Sequence, residues 1–169
     1  MTINKNNLLA IISNRSSIFS NEHKPNIKIK SLLFKYYSGI ETYNIVINEN
    51  NIYQLAYIIK CISSSFGGIY ISNLYIPDII ELENILISIL DIPIMSDNLN
   101  STAIITSAAL INAIELIHKD INQIKIVING AGVFIYSANI YLKLGVKKQN
   151  IFMYDSKGMI CKSRRDLNI

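Results

Sequence analysis

KIVINGAGVFI, residues 125–135, reads as a strand that runs into a glycine-rich turn. The apolar run before the glycines suits a buried parallel strand. Gly130 permits the tight turn, and Gly132 lets a pyrophosphate approach the backbone at the start of the next helix, where free N–H groups and the dipole favour negative charge. Asp155 follows Gly132 by 23 residues, at the end of the next expected strand. That is close to the ~20-residue interval for a carboxylate on the ribose hydroxyls, and its charge favours NAD over the 2′-phosphate of NADP. The third small position of the fingerprint holds Ile135. A β-branched side chain there should push helix and strand apart or force the turn to adjust. The plainer alternative is a simple strand–helix turn with Asp155 as a helix cap.

Working outward, the spacing predicts a helix over 132–144 and a strand over 151–154 closing on Asp155, which completes a βαβ unit. Upstream, the apolar region 103–117 contains Thr106, Ser107, Asn112 and Glu115, and predicts a buried helix beginning near Ser101 and Thr102. Asn112 and Glu115 fall on its polar side. A turn at 91–94 leads into a brief strand. Pro77 and Asp78 open a helix whose acidic residues Asp78, Glu81 and Glu83 suit the positive end of the dipole. IYIS, 69–72, is a short strand after Gly67 and Gly68, and Asn51 caps a helix over IYQLAYIIKCI. YNIVIN (43–48) and SLLF (31–34) have the composition of strands, and residues 1–30 read as polar and irregular. Strands alternating with helices predict an α/β fold with a division near Asn100, giving segments 1–100 and 101–169.

With 169 residues, 50% hydrophobic and 17% charged, the chain can fill one domain or two small lobes and does not read as disordered. A net charge of +4 without a dense basic stripe gives no expectation of nucleic acid. Cys61 and Cys161 lack metal-ligand spacing and fit a reduced, cytoplasmic chain. The five-residue apolar stretch near the N-terminus is too short for a signal peptide, and no membrane span is expected. His23 and His118 are isolated, Ser63–Ser65 lacks a nucleophile-elbow context, and Arg164 and Arg165 read as solvent-exposed.

The blocks LLFKYYSGIETYNIVI, SSSFGGIYIS, LDIPIMSDNLNSTAIITSAALINAIEL, KIVINGAGV and GVKKQNIFMYDSKGMICKSRRDLN are collinear with blocks of malic enzyme, and the chain resembles that family from about Lys24 to Asn168. The resemblance implies a shortened malic-enzyme N-terminal domain followed by the first βαβ part of a Rossmann-like NAD(P)-binding domain. It implies oxidative decarboxylation of malate to pyruvate, with Mg²⁺ or Mn²⁺ and a nicotinamide cofactor. It places Lys30 on the family's general-base lysine in K-P-V-M-E-G-K and Asp97 on the first acid of H-D-D-Q-H-G-T-A. By residues alone, Lys30 is equally a solvated lysine in an IKIK alternation. The family holds its cation with the Glu-Asp of G-G-I-N-L-E-D and the second Asp of H-D-D, and those positions hold Ser72, Asn73 and Asn98. Hard cations want anionic oxygen, so no metal site is expected. Family members extend further at both ends, with a Y-T-P-G-type tyrosine on one side and the nicotinamide half on the other. The expectation is therefore a chain with impaired or lost turnover. The alternative to such an impaired malic enzyme is a non-catalytic remnant or a binding or interaction module, as a homo-oligomer or as one part of an enzyme completed by another chain.

Overall fold

The computed structural model describes residues 7–14 and 23–167. The chain divides into two units, Met1–Asp97 and Asn98–Ile169.

The first unit is built on a four-stranded parallel sheet. Its strands are β1 (Leu8–Asn14), β2 (Glu41–Ile47), β3 (Gly68–Ser72) and β4 (Ile94–Ser96), in the order β2-β1-β3-β4. The helices are α1 (His23–Ser38), α2 (Ile52–Ser63) and α3 (Asp78–Ile89). Two expectations fail here. The stretch read as irregular contains β1, a central strand, with Ala10, Ile11 and Ile12 fully buried. Its five-residue apolar run is the right length for a strand covered on both faces. SLLF lies inside α1 instead of forming a strand. Ile27, Lys30 and Phe34 recur at i, i+3 and i+7, so this one stripe of α1 meets the sheet while Leu32 turns outward.

The register fixes which side chains share a face. Ile11 pairs with Tyr70 and Ser13 with Ser72 across β1 and β3, while Tyr70 pairs with Met95 across β3 and β4. Ile11, Tyr70 and Ile27 form one cluster with Leu9, Phe34 and Met95 against it, which places α1 on this face. On the opposite face, buried Glu83 of α3 accepts a hydrogen bond from Ser96 at 3.1 Å. Glu83 is thus a core group one turn further on, while Asp78 and Glu81 occupy the first turn of α3 as expected. Asn51 caps α2 as expected, its side-chain oxygen accepting from the N–H groups of Tyr53 and Gln54.

The second unit contains α4 (Thr102–Leu116), β5 (Ile126–Asn129), α5 (Ala131–Leu144), β6 (Ile151–Asp155) and β7 (Gly158–Met159). β5 and β6 pair in parallel, and β7 turns back antiparallel on β6. Ile128, Ala138, Tyr141 and Val146 form the core, with Phe134, Ile126 and Met153 packed against it. α4 is not the buried helix expected. Ala103 and Ser107 are buried, but Ile105 is 68% and Leu116 81% exposed. The helical stretch Asp97–Leu116 is 20 residues long, enough by length and composition alone to cross a bilayer; α4 packs on α5, where the Thr106 hydroxyl meets that of Ser137 at 3.1 Å. β5 is likewise covered on one side only, with Ile128 buried and Val127 exposed.

Candidate functional site

Tyr70 and Ser72 lie two residues apart on β3, so their side chains leave the same face of the sheet. α1 lays Lys30 over that face, and Asp97 follows β4 directly. The four groups meet within the first unit. The Lys30 Nζ ammonium donates to Asp97 Oδ2 and, at 3.0 Å, to Ser72 Oγ. Ser72 Oγ in turn donates to Asp97 Oδ2 at 3.4 Å. The Tyr70 hydroxyl donates to Asp97 Oδ1. The Tyr70 ring is held edge-on by Phe34, with centroids 5.3 Å apart, and the Lys30 ammonium sits 5.9 Å from its centre.

The pair is largely withdrawn from water: the side chain of Lys30 is 25% exposed and that of Asp97 17%. Lys30 is therefore not the solvated lysine of an IKIK alternation. Helical spacing, not strand alternation, carries it to the sheet. Sequence reasoning did not single out Tyr70. In the G-G-I-N-L-E-D block it stands where the family pattern has Asn, two residues before Ser72, and that departure was the available signal.

A divalent cation does not fit these residues. Both oxygens of Asp97 already accept hydrogen bonds from within the unit. Ser72 is fully buried and offers a neutral hydroxyl that is itself engaged. Asn73 holds a left-handed backbone with φ 57°, which Asn tolerates, and its buried Nδ2 has no acceptor among the described residues. Its amide is neutral and brings a cation no charge. Asn98 follows Asp97 in the chain and is exposed. Among the described residues no group of three His, Cys, Asp or Glu side chains could hold a metal.

The second candidate site is the β5–α5 turn. Gly130 adopts φ 103°, a conformation open to glycine at little cost, and its N–H donates to Tyr154 O on β6 at 2.9 Å. Helix α5 starts at the next residue, so Gly132 falls in its first turn, exposed. Ile135 does not wedge helix from strand. It is 42% exposed, while Phe134, Ala138 and Tyr141, at i, i+4 and i+7, take the face toward β5. A Cβ on Gly130 would touch only the Phe134 ring, at 3.8 Å.

Asp155 ends β6 but does not stand free. Its Oδ1 accepts from Arg164 Nη1 and from the Lys157 N–H, each at 2.8 Å. Arg164 is only 15% exposed, contrary to the expectation of a solvated arginine. It also grips Asp166 through Nε and Nη2, at 2.9 and 2.8 Å, and Lys157 Nζ reaches the same carboxylate at 2.9 Å. Arg164 holds the carboxyl of Asp155 below its ordinary range, chiefly through the hydrogen bond, and does the same to Asp166 with help from Lys157.

No family model matches the sequence. Similar proteins are nevertheless plain. The chain is 34% identical over 169 residues to the NADP-dependent malic enzyme of Haemophilus influenzae, covering 96% of this chain and 22% of that protein. It is 33% identical over 168 residues to the NAD-dependent malic enzyme of Rhizobium meliloti, with 95% and 22% covered. The crystal structure of the NAD-dependent malic enzyme of Thermotoga maritima superposes with a TM-score of 0.86 at 30% identity, covering 94% of this chain and 44% of that one. The chain thus spans about a fifth of the length of these curated relatives.

Proposed function

Because the chain belongs to the malic-enzyme family, we propose that it keeps the family's base pair, Lys30 with Asp97, but does not decarboxylate malate with a divalent cation. The observation that carries this reading is the closure of Lys30 and Tyr70 on both oxygens of Asp97, beside a serine hydroxyl in place of a ligand carboxylate. A cation entering there would compete with three donors for the Asp97 oxygens and would gain a single unit charge from the protein. Hard divalent ions bind several oxygens, with carboxylates supplying the charge, and these residues do not meet that demand. Without such a charge, the negative oxygen that develops when carbon dioxide leaves has only hydrogen-bond donors to stabilise it.

The nucleotide site fits its group better. Gly130 and Gly132 would receive a pyrophosphate at the start of α5, and Asp155 with Arg164 would face the adenosine ribose. A bound nicotinamide dinucleotide would supply the hydride acceptor. The charge of Asp155 alone favours NAD, and the Arg164 guanidinium cancels part of that preference. Cys61 and Cys161 are both free thiols, which supports a reducing, cytoplasmic setting.

The test is direct. The chain, incubated with malate, NAD or NADP and Mn²⁺, should give no cofactor reduction at 340 nm above a blank lacking malate. Malate-dependent reduction that EDTA abolishes refutes the reading. A second reading, oxidoreduction completed by another chain, is favoured by the intact Lys30–Asp97 pair. It requires that a supplied malic-enzyme segment raise turnover and that Lys30→Met cancel the gain.

A further inference from the structure

Beside the Lys30–Asp97 pair, within the first unit, lies an open cleft of about 420 Å³ lined by Lys30, Leu33, Phe34, Tyr37, Ser38, Ile40 and Tyr70, with Leu33 47% and Tyr37 78% exposed. Lys30, Leu33, Phe34 and Tyr37 are spaced i, i+3, i+4 and i+7, so one stripe of α1 supplies both a cation and an apolar wall. Tyr70 closes the wall from β3, its ring edge-on to Phe34. Small-molecule sites have this composition: a few hundred Å³, mostly hydrocarbon and aromatic, with one or two polar groups that fix orientation. The walls match poorly to malate, whose two carboxylates and hydroxyl would lose water against hydrocarbon without replacement hydrogen bonds.

The single charged side chain lining this space is Lys30. Its ammonium has three N–H donors. Two go to Asp97 and Ser72, which leaves the third for a ligand, and the Lys30 side chain is 25% exposed. Asp97 does not repel an approaching anion with a bare oxygen, because Tyr70 and Lys30 each cover one.

We propose that this cavity binds an amphipathic monocarboxylate, with an aromatic or branched tail against Leu33, Phe34, Tyr37 and Tyr70 and the carboxylate on the Lys30 ammonium. The site needs no metal. It shares Lys30 with the reading above but takes a different class of ligand, so the two stand or fall separately. Malate-driven cofactor reduction would sink the earlier reading and leave the cavity untouched. Failure of the binding experiment would sink the cavity alone.

The probe is 3-phenylpropanoate, titrated into the full chain in EDTA and followed by NMR shifts. Acetate supplies a carboxylate without a tail, 3-phenylpropan-1-ol a tail without charge, and malate the second charge. 3-Phenylpropanoate should bind at least ten-fold more tightly than each of the three. Lys30→Met should weaken it about ten-fold while leaving the alcohol unchanged, and Leu33→Trp, which fills the space, should weaken both. Nuclear Overhauser contacts from the phenyl protons to the Leu33 and Ile40 methyls of the unmodified chain should locate the tail, so the claim survives a variant that does not fold. Four results overturn it: equal binding of acetate and 3-phenylpropanoate, undiminished binding by folded Lys30→Met or Leu33→Trp, contacts to methyls elsewhere, or no binding because a second copy of the chain fills the cavity, seen as dimer formation abolished by Leu33→Asp.

Discussion

Replacing Lys30 with Met keeps the aliphatic stem of the side chain on α1 and removes its charge. Asp97 would then retain Tyr70 on Oδ1 and Ser72 on Oδ2 but lose its only counter-charge in the cluster. A fully exposed ion pair contributes about 0–1 kcal/mol, and breaking a fully buried one costs about 3–5 kcal/mol. With side chains 25% and 17% exposed, this pair lies between the limits and nearer the buried one. Lys30→Met should therefore cost about 3 kcal/mol. Asp97→Asn, which keeps the shape and can still accept from Tyr70, should cost about 1–2 kcal/mol, in line with losing a hydrogen bond to a charged group. The decisive quantity is the coupling. In a double-mutant cycle the pair should lose about 1–2 kcal/mol less than the sum of the single changes, because each single change already removes the shared interaction. Urea unfolding measures this, followed by circular dichroism and by tyrosine fluorescence, since the chain has no Trp. Strictly additive single changes, with m values unaltered, would mean that Lys30 and Asp97 do not meet. The candidate site would then dissolve whatever the fold.

Three further outcomes follow from the second unit. Arg164→Met should remove the positive charge beside Asp155 and weaken adenosine 2′,5′-bisphosphate at least three-fold relative to 5′-AMP, as read by calorimetry; an unchanged ratio removes Arg164 from cofactor choice. Asp155 and Asp166 have carboxyls depressed in the folded state, so their pairing with Arg164 stabilises above the ordinary carboxylate value of 3.8 and is lost as pH falls through the depressed folded values. The stability gap between the unmodified chain and Arg164→Met should accordingly be constant from pH 7 to about pH 5 and shrink toward pH 3; a gap that widens on acidification contradicts the sign. Ile135→Gly should lower stability by about 1 kcal/mol, the cost of glycine inside a helix, without improving nucleotide binding, because Ile135 does not press on β5. Tighter NAD binding by that variant would restore the wedge that its position in the fingerprint suggests.

The second unit was readable because its signals are local. A strand, a glycine turn, a helix and an acidic strand end follow one another within thirty-odd residues, and each leaves its own period or punctuation. β1 and α1 were not readable for the opposite reason. β1 has two parallel neighbours, β2 and β3, both brought to it by crossovers, so its identity depends on pairing that no window of sequence contains. α1 mixes a buried stripe with the exposed apolar side chains of Leu32, Leu33, Tyr36 and Tyr37, which blurs the helical period and makes SLLF look like a strand. The same long-range pairing hid Tyr70. Only the register Ile11–Tyr70–Met95, with Asp97 two residues beyond Met95, brings its hydroxyl to the carboxylate. Arg164 was misjudged because Asp155 is brought back to it by the β6–β7 reversal, which no helical or strand spacing signals, while Asp166 joins from two residues further along the same segment.

The neutral residues at the family's metal positions also bear on folding, because charge there has to be balanced by something. Ser72 is fully buried beside Ser13, and the nearest positive group is the Lys30 ammonium, already committed to Asp97. Ser72→Glu with Asn73→Asp would add two negative charges to a site holding one ammonium. Desolvation and like-charge repulsion should then destabilise the first unit by about 3–5 kcal/mol in EDTA. The same double change restores two of the three acidic oxygens that the family uses, so Mn²⁺ should return about 2.7 kcal/mol at a hundred times its dissociation constant. The unmodified chain, with no charge to neutralise, should show no shift with Mn²⁺ at all. A double variant as stable in EDTA as the parent would show that this pocket tolerates excess negative charge. The neutral side chains would then carry no information about the absent cation, and the claim that Lys30 serves as the resident positive charge would fail with it.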